Sequence, residues 1–244
     1  MTSPVQIAES FEQYAEHFRR FNPGDPTSAF GNYHLNLANL LPTDRRARIL
    51  DFGCGMGHFL LYLKHSGYTN VEGIDVSRTQ IEHCRSIGLA NAFITEDSLA
   101  YLAARPKSYD LIAALDVFEH LPKDRVIPAL KAARNALKPG GRFIMKVPNA
   151  AAAVSPWTRY MDFTHETSYC DRSAYQIFQF AGFQDIRVLP NQTFYNHKIR
   201  GKLFEMLRWG LYAGMKFVYT LQAPGTAIPE VLTLDLIAYG DNPR

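Results

Sequence analysis

The stretch Asp51-Phe52-Gly53-Cys54-Gly55-Met56-Gly57 sets a carboxylate ahead of three alternate glycines. Glycines let a backbone approach a ligand where a Cβ would collide. The spacing differs from the dinucleotide fingerprint G-x-G-x-x-G, because the third glycine comes one place early and His58 follows it. A carboxylate just before the glycines suits a cationic ligand better than a pyrophosphate. Further on stand Asp75, Asp97 and the cluster Asp116-Val117-Phe118-Glu119-His120, and later His165 within Asp162-Phe163-Thr164-His165. An acid one strand away from the glycines accepts hydrogen bonds from both hydroxyls of a ribose. An imidazole within reach of a hydroxyl takes its proton, and oxygen and imidazole donors together hold a divalent cation.

The elements that must position these groups follow from the hydrophobic pattern. Ile49–Phe52 is a short apolar run of buried-strand type, and Phe59, Leu60 and Leu63 have the spacing of one helix face. Strand, glycine turn and helix together aim unpaired N–H groups and the positive dipole end at one spot. A second strand at 70–77 ends in Asp75, a third at 91–99 runs into Asp97-Ser98, and a fourth at 108–116 delivers Asp116. Asp75 and Asp97 each have a second reading as a helix N-cap, although Ser77 can fill that role beside Asp75. A helix then leads to Leu137-Lys138-Pro139-Gly140-Gly141, read as a glycine-closed helix end, and a fifth strand follows at 142–147. Strands alternating with helices imply an α/β fold with a mostly parallel sheet. An amphipathic helix is expected at 4–21 and another from about Phe30 to Leu41.

The D-x-G-C-G-x-G stretch with these flanks resembles motif I of the class I S-adenosylmethionine-dependent methyltransferases, and the block 110–148 resembles their motifs IV to VI. The resemblance covers 45–150 well and 165–190 and 231–239 more loosely. It implies a Rossmann-like class I methyltransferase fold: a seven-stranded, mostly parallel sheet with helices on both faces and an antiparallel last strand. N-terminal helices precede it and a helical insertion comes before the last strand. The chain is then a single methyltransferase domain over 1–244, with cap helices at 1–44, a cofactor-binding core at 45–150 and an acceptor-side region at 151–244. Carried over residue by residue, Asp51, Gly53, Cys54, Gly55 and Gly57 meet the methionine end of S-adenosylmethionine. Asp75 and Val76 meet the ribose side, Asp97 and Ser98 the adenine, and Asp116, delivered into the cleft by the fourth strand, is a further cofactor-binding residue.

Asp116, Glu119 and His120, with His165 later, resemble the E-x-x-E-H metal motif of ubiquinone-pathway O-methyltransferases and small-RNA terminal 2′-O-methyltransferases. This implies Mg²⁺ on Asp116, Glu119, His120 and His165, which lowers the acceptor hydroxyl's pKa. The chain departs from the motif in having Asp116 for the first Glu, a side chain one methylene shorter. Metal-free relatives carry Glu-His-Leu at this turn, so His165 and His120 as metal-free proton acceptors, or as structural groups, stand beside the metal reading. The stretch Asp162–Phe183, with Ala181-Gly182-Phe183, resembles bacterial polysaccharide and nucleotide-sugar methyltransferases. It implies O-methylation of a sugar hydroxyl, with Trp157, Arg159, Tyr160 and Tyr169 available to a polar ring. The alternatives are a membrane-associated quinone or phenol O-methyltransferase and a non-catalytic S-adenosylmethionine-binding protein.

The bulk properties narrow the setting. The chain has 244 residues, 47% of them hydrophobic, and a net charge of +3 spread without a basic block, which argues against a nucleic-acid partner. Cys54, Cys84 and Cys170 are far apart and form no C-x-x-C, which fits a reducing, cytoplasmic setting. No stretch of membrane-spanning length is free of charge. The segment 199–221 is rich in aromatics and basic residues, an expected site of peripheral membrane contact, a lid over the cleft or a homodimer face.

Overall fold

A computed structural model describes residues 25–195 and 198–244. The amphipathic helix expected at 4–21 lies outside the described residues. The strands are β1 (Ile49–Phe52), β2 (Val71–Asp75), β3 (Ala92–Ile94), β4 (Tyr109–Leu115), β5 (Leu137–Pro148), β6 (Gln184–Pro190) and β7 (Asp235–Asp241). They form one sheet in the order β3-β2-β1-β4-β5-β7-β6. Pairing from β3 across to β5 is parallel, and β7 runs antiparallel between β5 and β6. The helices are α1 (Phe30–Leu37), α2 (His58–His65), α3 (Arg78–Ser86), α4 (Ser98–Ala103), α5 (Lys123–Ala136), α6 (Ser155–Tyr160), α7 (Asp171–Ala181) and α8 (Lys198–Gln222).

The central strands are apolar because both faces of the sheet are covered. Successive side chains point to opposite faces. Leu50, Phe52, Ile112, Phe143 and Met145 pack with α5 and α7 on one side. Ile49, Leu111, Ala113 and Ile144 pack with α2 and α3 on the other. By this alternation Asp51 falls on the α2 face and is buried with it, 2% exposed.

One packing contact fixes the acceptor side. Phe118, fully buried, meets Phe143 edge-on at 5.6 Å and Phe52 at 6.4 Å. A ring buried this well contributes about 3 kcal/mol, and it anchors the 3₁₀ turn Phe118–His120 that carries Glu119 and His120.

The expected glycine-closed helix end is corrected. Helix α5 stops at Ala136, and its last carbonyls, on Asn135 and Ala136, accept N–H bonds from Lys107 and Ser108 at 2.9 and 2.7 Å. Strand β5 therefore starts at once, at Leu137, and Gly140 serves a turn in it at φ 76°. The last strand also begins later than expected, at Asp235 rather than near Val231.

Candidate active site

The donor side of the cleft is assembled from the ends of β1 and β2. Gly53 and Cys54 both donate their N–H to the Ile74 carbonyl, at 2.8 and 2.9 Å, which bends the exit of β1 toward β2. Gly53, Gly55 and Gly57 all take positive φ, at 76°, 51° and 81°. At Gly53 an added Cβ would lie 2.4 Å from Val117 Cγ2, so only glycine passes beneath that side chain. Gly57 begins α2, and no side chain caps that helix start. Its first N–H groups are thus left for the cleft.

Asp75 stands at the end of β2, half-buried. Its Oδ2 accepts the Gly55 N–H at 2.9 Å and its Oδ1 accepts the Ser77 N–H at 2.9 Å. The carboxylate braces the glycine loop from the end of β2. Ser77 caps α3 through Gln80 N–H, as the sequence suggests. Val76 beside it is exposed. Asp97 caps α4, its Oδ1 accepting N–H bonds from Leu99 and Ala100, both at 3.0 Å, with Ser98 opening the helix.

Asp51 is the outlier in this half. Its Oδ2 is buried with no hydrogen-bond partner among the described residues. Burial, with the Asp75 charge adding to it, pushes its carboxyl up to about 8. An orphaned buried carboxylate oxygen next to the glycine turn fits a cationic group such as a ligand's α-ammonium. Cys54 is buried as well, and its thiol is raised by the neighbouring Cys84 and by burial. Cys84 Sγ donates to the Gly55 carbonyl at 3.2 Å.

The acceptor side gathers residues from separate segments. The Glu119 carbonyl accepts N–H bonds from Glu166 and Thr167, at 2.7 and 3.1 Å, and draws the Asp162–Thr167 loop against the 3₁₀ turn. His120 and His165 then meet edge-on, ring centroids 4.8 Å apart. Thr164 Oγ1 lies 2.6 Å from Asp162 Oδ1 and 2.8 Å from His120 Nδ1. The hydroxyl has one proton to give and the carboxylate takes it, so His120 Nδ1–H donates to Thr164. His165 Nδ1 lies 2.9 Å from the Thr158 carbonyl, which only accepts, so this nitrogen also carries a proton. With Nδ1 carrying a proton in both rings, Nε2 is the nitrogen of each that can accept one.

Glu119 is buried, its Oε2 without a hydrogen-bond partner among the described residues. Burial, then the Asp116 charge, holds its carboxyl well above the usual range. One donor atom from each of Glu119, His120 and His165 lies within 4.8 Å of the others. Burial and the neighbouring His165 lower His120's pKa, so its neutral form prevails at pH 7. Burial acts to raise Asp162, but the Thr164 hydroxyl and amide hold it below the usual range.

Asp116 does not join this cluster, a correction to the four-ligand expectation. The helical turn covers only Phe118–His120, and Asp116 precedes it in left-handed backbone, φ 58°. Its exposed carboxylate pairs with Lys146 Nζ at 2.6 Å, and Asp235 lies 3.8 Å from the same ammonium. Burial works against the Lys146 charge, but the two carboxylates outweigh it and hold its pKa well above the usual range. Tyr169, expected to serve a polar ring, is buried and donates its hydroxyl to the Phe118 carbonyl at 3.1 Å.

Sequence reading misses Lys146, Asp235 and Tyr33. A lysine inside the apolar run Phe143-Ile144-Met145-Lys146-Val147 is the available signal, since a buried strand holds a cation only for an anion. Tyr33, on α1, is half-buried against Phe59 and Tyr62, with ring centroids at 5.3 and 5.5 Å. Burial raises its phenol's pKa, with Asp51 and Asp116 adding to the rise and Lys146 opposing it.

A family model described as a methyltransferase domain matches residues 26–188. Among curated relatives, a ubiquinone biosynthesis O-methyltransferase of Xylella fastidiosa is 32% identical over 135 residues, 54% of each chain. One of the same name from Ralstonia nicotianae is 30% identical over 140 residues, 53% of this chain and 57% of that protein. The chain spans about half the length of the curated relatives it matches. A SAM-dependent methyltransferase structure from Archaeoglobus fulgidus superposes with a TM-score of 0.68 at 19% identity, covering 93% of this chain and 99% of that one.

Proposed function

The chain belongs to the methyltransferase-domain family, and we propose that it transfers a methyl group from S-adenosylmethionine to a hydroxyl oxygen of a small acceptor. The observation that carries the hydroxyl is the convergence of buried Glu119 with the His120 and His165 rings. S-adenosylmethionine, when bound, supplies an electrophilic methyl on a sulfonium. Asp51 takes its α-ammonium, and Gly53, Cys54, Gly55 and Gly57 let the backbone approach it. Asp75 accepts from both ribose hydroxyls. Val76, Asp97 and Ser98 line the adenine side, and the Asp116–Lys146 pair holds the mouth of β4 and β5 in place. His165 Nε2 takes the acceptor's proton, with its ring held by the Thr158 carbonyl and by contact with His120.

The acceptor class is a phenol in preference to a sugar. A groove of about 520 Å³ between Ala152-Ala153 and α8 is walled mostly by Ala152, Ala153, Leu211, Met215 and Val218, with Tyr219 and Gln222 its polar members, a lining that suits an apolar tail better than a sugar. The relatives named for ubiquinone biosynthesis agree with that choice.

A second reading has its own support. Glu119 Oε2 has no partner among the described residues and sits among two imidazoles, so the three residues fit a divalent cation. Such a cation would lower the acceptor hydroxyl's pKa. Two imidazoles and one carboxylate suit zinc or another transition cation better than Mg²⁺, which prefers oxygen ligands.

The test is methyl transfer from S-adenosylmethionine to alkyl phenols and catechols and to nucleotide sugars, each with and without chelator. Product from a catechol and none from the sugars is expected. Product from sugars alone overturns the phenol assignment, and activity unchanged by chelator removes the cation.

A further inference from the structure

Helix α8, a continuous helix of 25 residues, shows the solvent a face that water does not favour. Gly201, Tyr212, Met215 and Tyr219 are turned wholly or partly inward. On the opposite side Ile199, Leu203, Met206, Leu207, Phe217 and Leu221 are all more than half exposed. Ile199, Leu203, Met206 and Leu207 in the first half and Phe217 and Leu221 in the second fall on one side of the helix, with Gly210, Ala213 and Gly214 between them, so they form one stripe along a rod about 37 Å long. No helix among the described residues is long and apolar enough to cross a membrane.

The border of the stripe is basic and aromatic. Lys202, Trp209 and Lys216 are exposed and stand seven residues apart, which puts them in one row beside the apolar face. Residues 198–222 hold Lys198, Arg200, Lys202, Arg208 and Lys216 against the single acid Glu205. A second apolar patch lies on α6 and the residues after it. Ala152 and Ala153 form a groove with the second half of α8, and the segment that follows them exposes Trp157, Tyr160, Met161 and Phe163. The Tyr219 hydroxyl, on the inward side of α8, reaches the Ala151 carbonyl at 3.5 Å and ties the helix to the segment that leads into α6. The only two tryptophans of the chain, Trp157 and Trp209, stand 60% and 75% exposed, one in each segment.

We propose that α8 and the α6 tip dock flat on an anionic lipid surface. The apolar stripe enters the acyl boundary, the tryptophans sit at headgroup depth, and the lysines reach back to lipid phosphates. Charge decides against a second copy as the occupant. An antiparallel two-fold contact would set two rows of lysines side by side, and a parallel one would leave both rows without acidic partners, since Glu205 is the single acid of 198–222. Docking here also brings the acceptor cluster to the membrane. The α6 backbone holds His165 through the Thr158 carbonyl, and Arg159 donates to the Glu166 carbonyl at 3.1 Å. The docking stands apart from the acceptor assignment; only the arrival of acceptor from the bilayer rests on the phenol reading.

The test uses the full chain and its own tryptophans, with vesicles of phosphatidylcholine alone or mixed with phosphatidylglycerol. Anionic vesicles should shift the tryptophan emission to the blue and sediment the protein, at least about tenfold more tightly than neutral ones and less so as salt rises. The double variants Lys202→Glu/Lys216→Glu and Leu203→Ser/Phe217→Ser should each lose about tenfold or more of that binding. Their far-ultraviolet dichroism and their melting shift with S-adenosylhomocysteine should match the parent. A parent chain that leaves both vesicle types unbound overturns the proposal. So do charge-reversed variants that bind as well as the parent, and a parent dimer that Leu203→Ser/Phe217→Ser turns into a monomer without any vesicle binding.

Discussion

The two sides of the cleft are built in opposite ways. The donor side comes from one continuous stretch, β1 through the cap of α3, and its geometry is fixed by backbone: three left-handed glycines braced by one carboxylate. The acceptor side is drawn from the turn after β4, the middle of β5, the Asp162–Thr167 loop and the start of β7, and side chains hold it. A backbone cradle tolerates almost no change in residue type, whereas a side-chain cluster can lose one member and keep its shape. The difference predicts a gradient of mutational effects.

The largest effect is expected at Gly53. Gly53→Ala puts a Cβ 2.4 Å from Val117 Cγ2 on a residue at φ 76°. S-adenosylhomocysteine affinity should fall by at least about 100-fold, since the clash and the left-handed strain of about 1–2 kcal/mol add. Adding Val117→Ala removes the clash and leaves the strain, so calorimetry should show partial recovery. Full recovery, or none, would break the account of the cradle.

Asp51→Asn should separate stability from binding. The folded carboxyl titrates near 8, far above the ordinary value of about 3.9. An acid raised in this way costs stability as it ionises: the penalty grows as pH rises from the unfolded value to the folded one, then levels off. Relative to the Asp51→Asn variant, the parent should therefore lose about 3 kcal/mol between about pH 5 and pH 8, read from denaturant melts. Donor affinity should move the other way, about 10- to 100-fold weaker in Asp51→Asn, because a charge-assisted contact of about 1.5–3 kcal/mol is gone. A variant that matches the parent in both respects would place Asp51 outside the site.

The smallest effect is expected from Thr164→Val, on the acceptor side. It removes the group that receives His120 Nδ1–H, yet the loop stays tied by the Glu119 carbonyl. Turnover should drop by about tenfold with donor affinity unchanged, below the roughly 10²- to 10⁴-fold that a direct proton-transfer group contributes, because Thr164 acts only through His120. An equal loss of donor affinity would show that the two sides are not separable.

This contrast also governs how far the sequence can be read. Asp51, the glycines and Asp75 lie close in sequence, so strand, turn and next-strand periodicity is enough to bring them together. The parallel part of the sheet follows from the alternation of apolar runs with helical ones, its seven strands and antiparallel last strand come only with the family resemblance, and α8 is visible as a basic, aromatic insertion. Asp116 is misplaced by sequence reading because its three-residue spacing from Glu119 looks helical, while the backbone before Phe118 is left-handed and Lys146 claims the carboxylate. The pairing of Thr164 with His120 spans 44 residues and depends on how a loop folds back, which no local pattern encodes. Gly140 reads as a helix stop because Lys-Pro-Gly-Gly is good turn chemistry; the turn exists, but inside β5.

The central claim is that one side of the cleft holds the donor and the other removes a hydroxyl proton. Single-turnover methyl transfer from S-adenosylmethionine to an alkyl catechol, measured beside S-adenosylhomocysteine affinity in the parent and in Glu119→Gln/His165→Ala, tests it most directly. The account predicts parent-like donor affinity in the double variant and transfer slowed by at least about 100-fold. Parent-like transfer in the double variant, or a donor-loaded parent that methylates no hydroxyl, would contradict it.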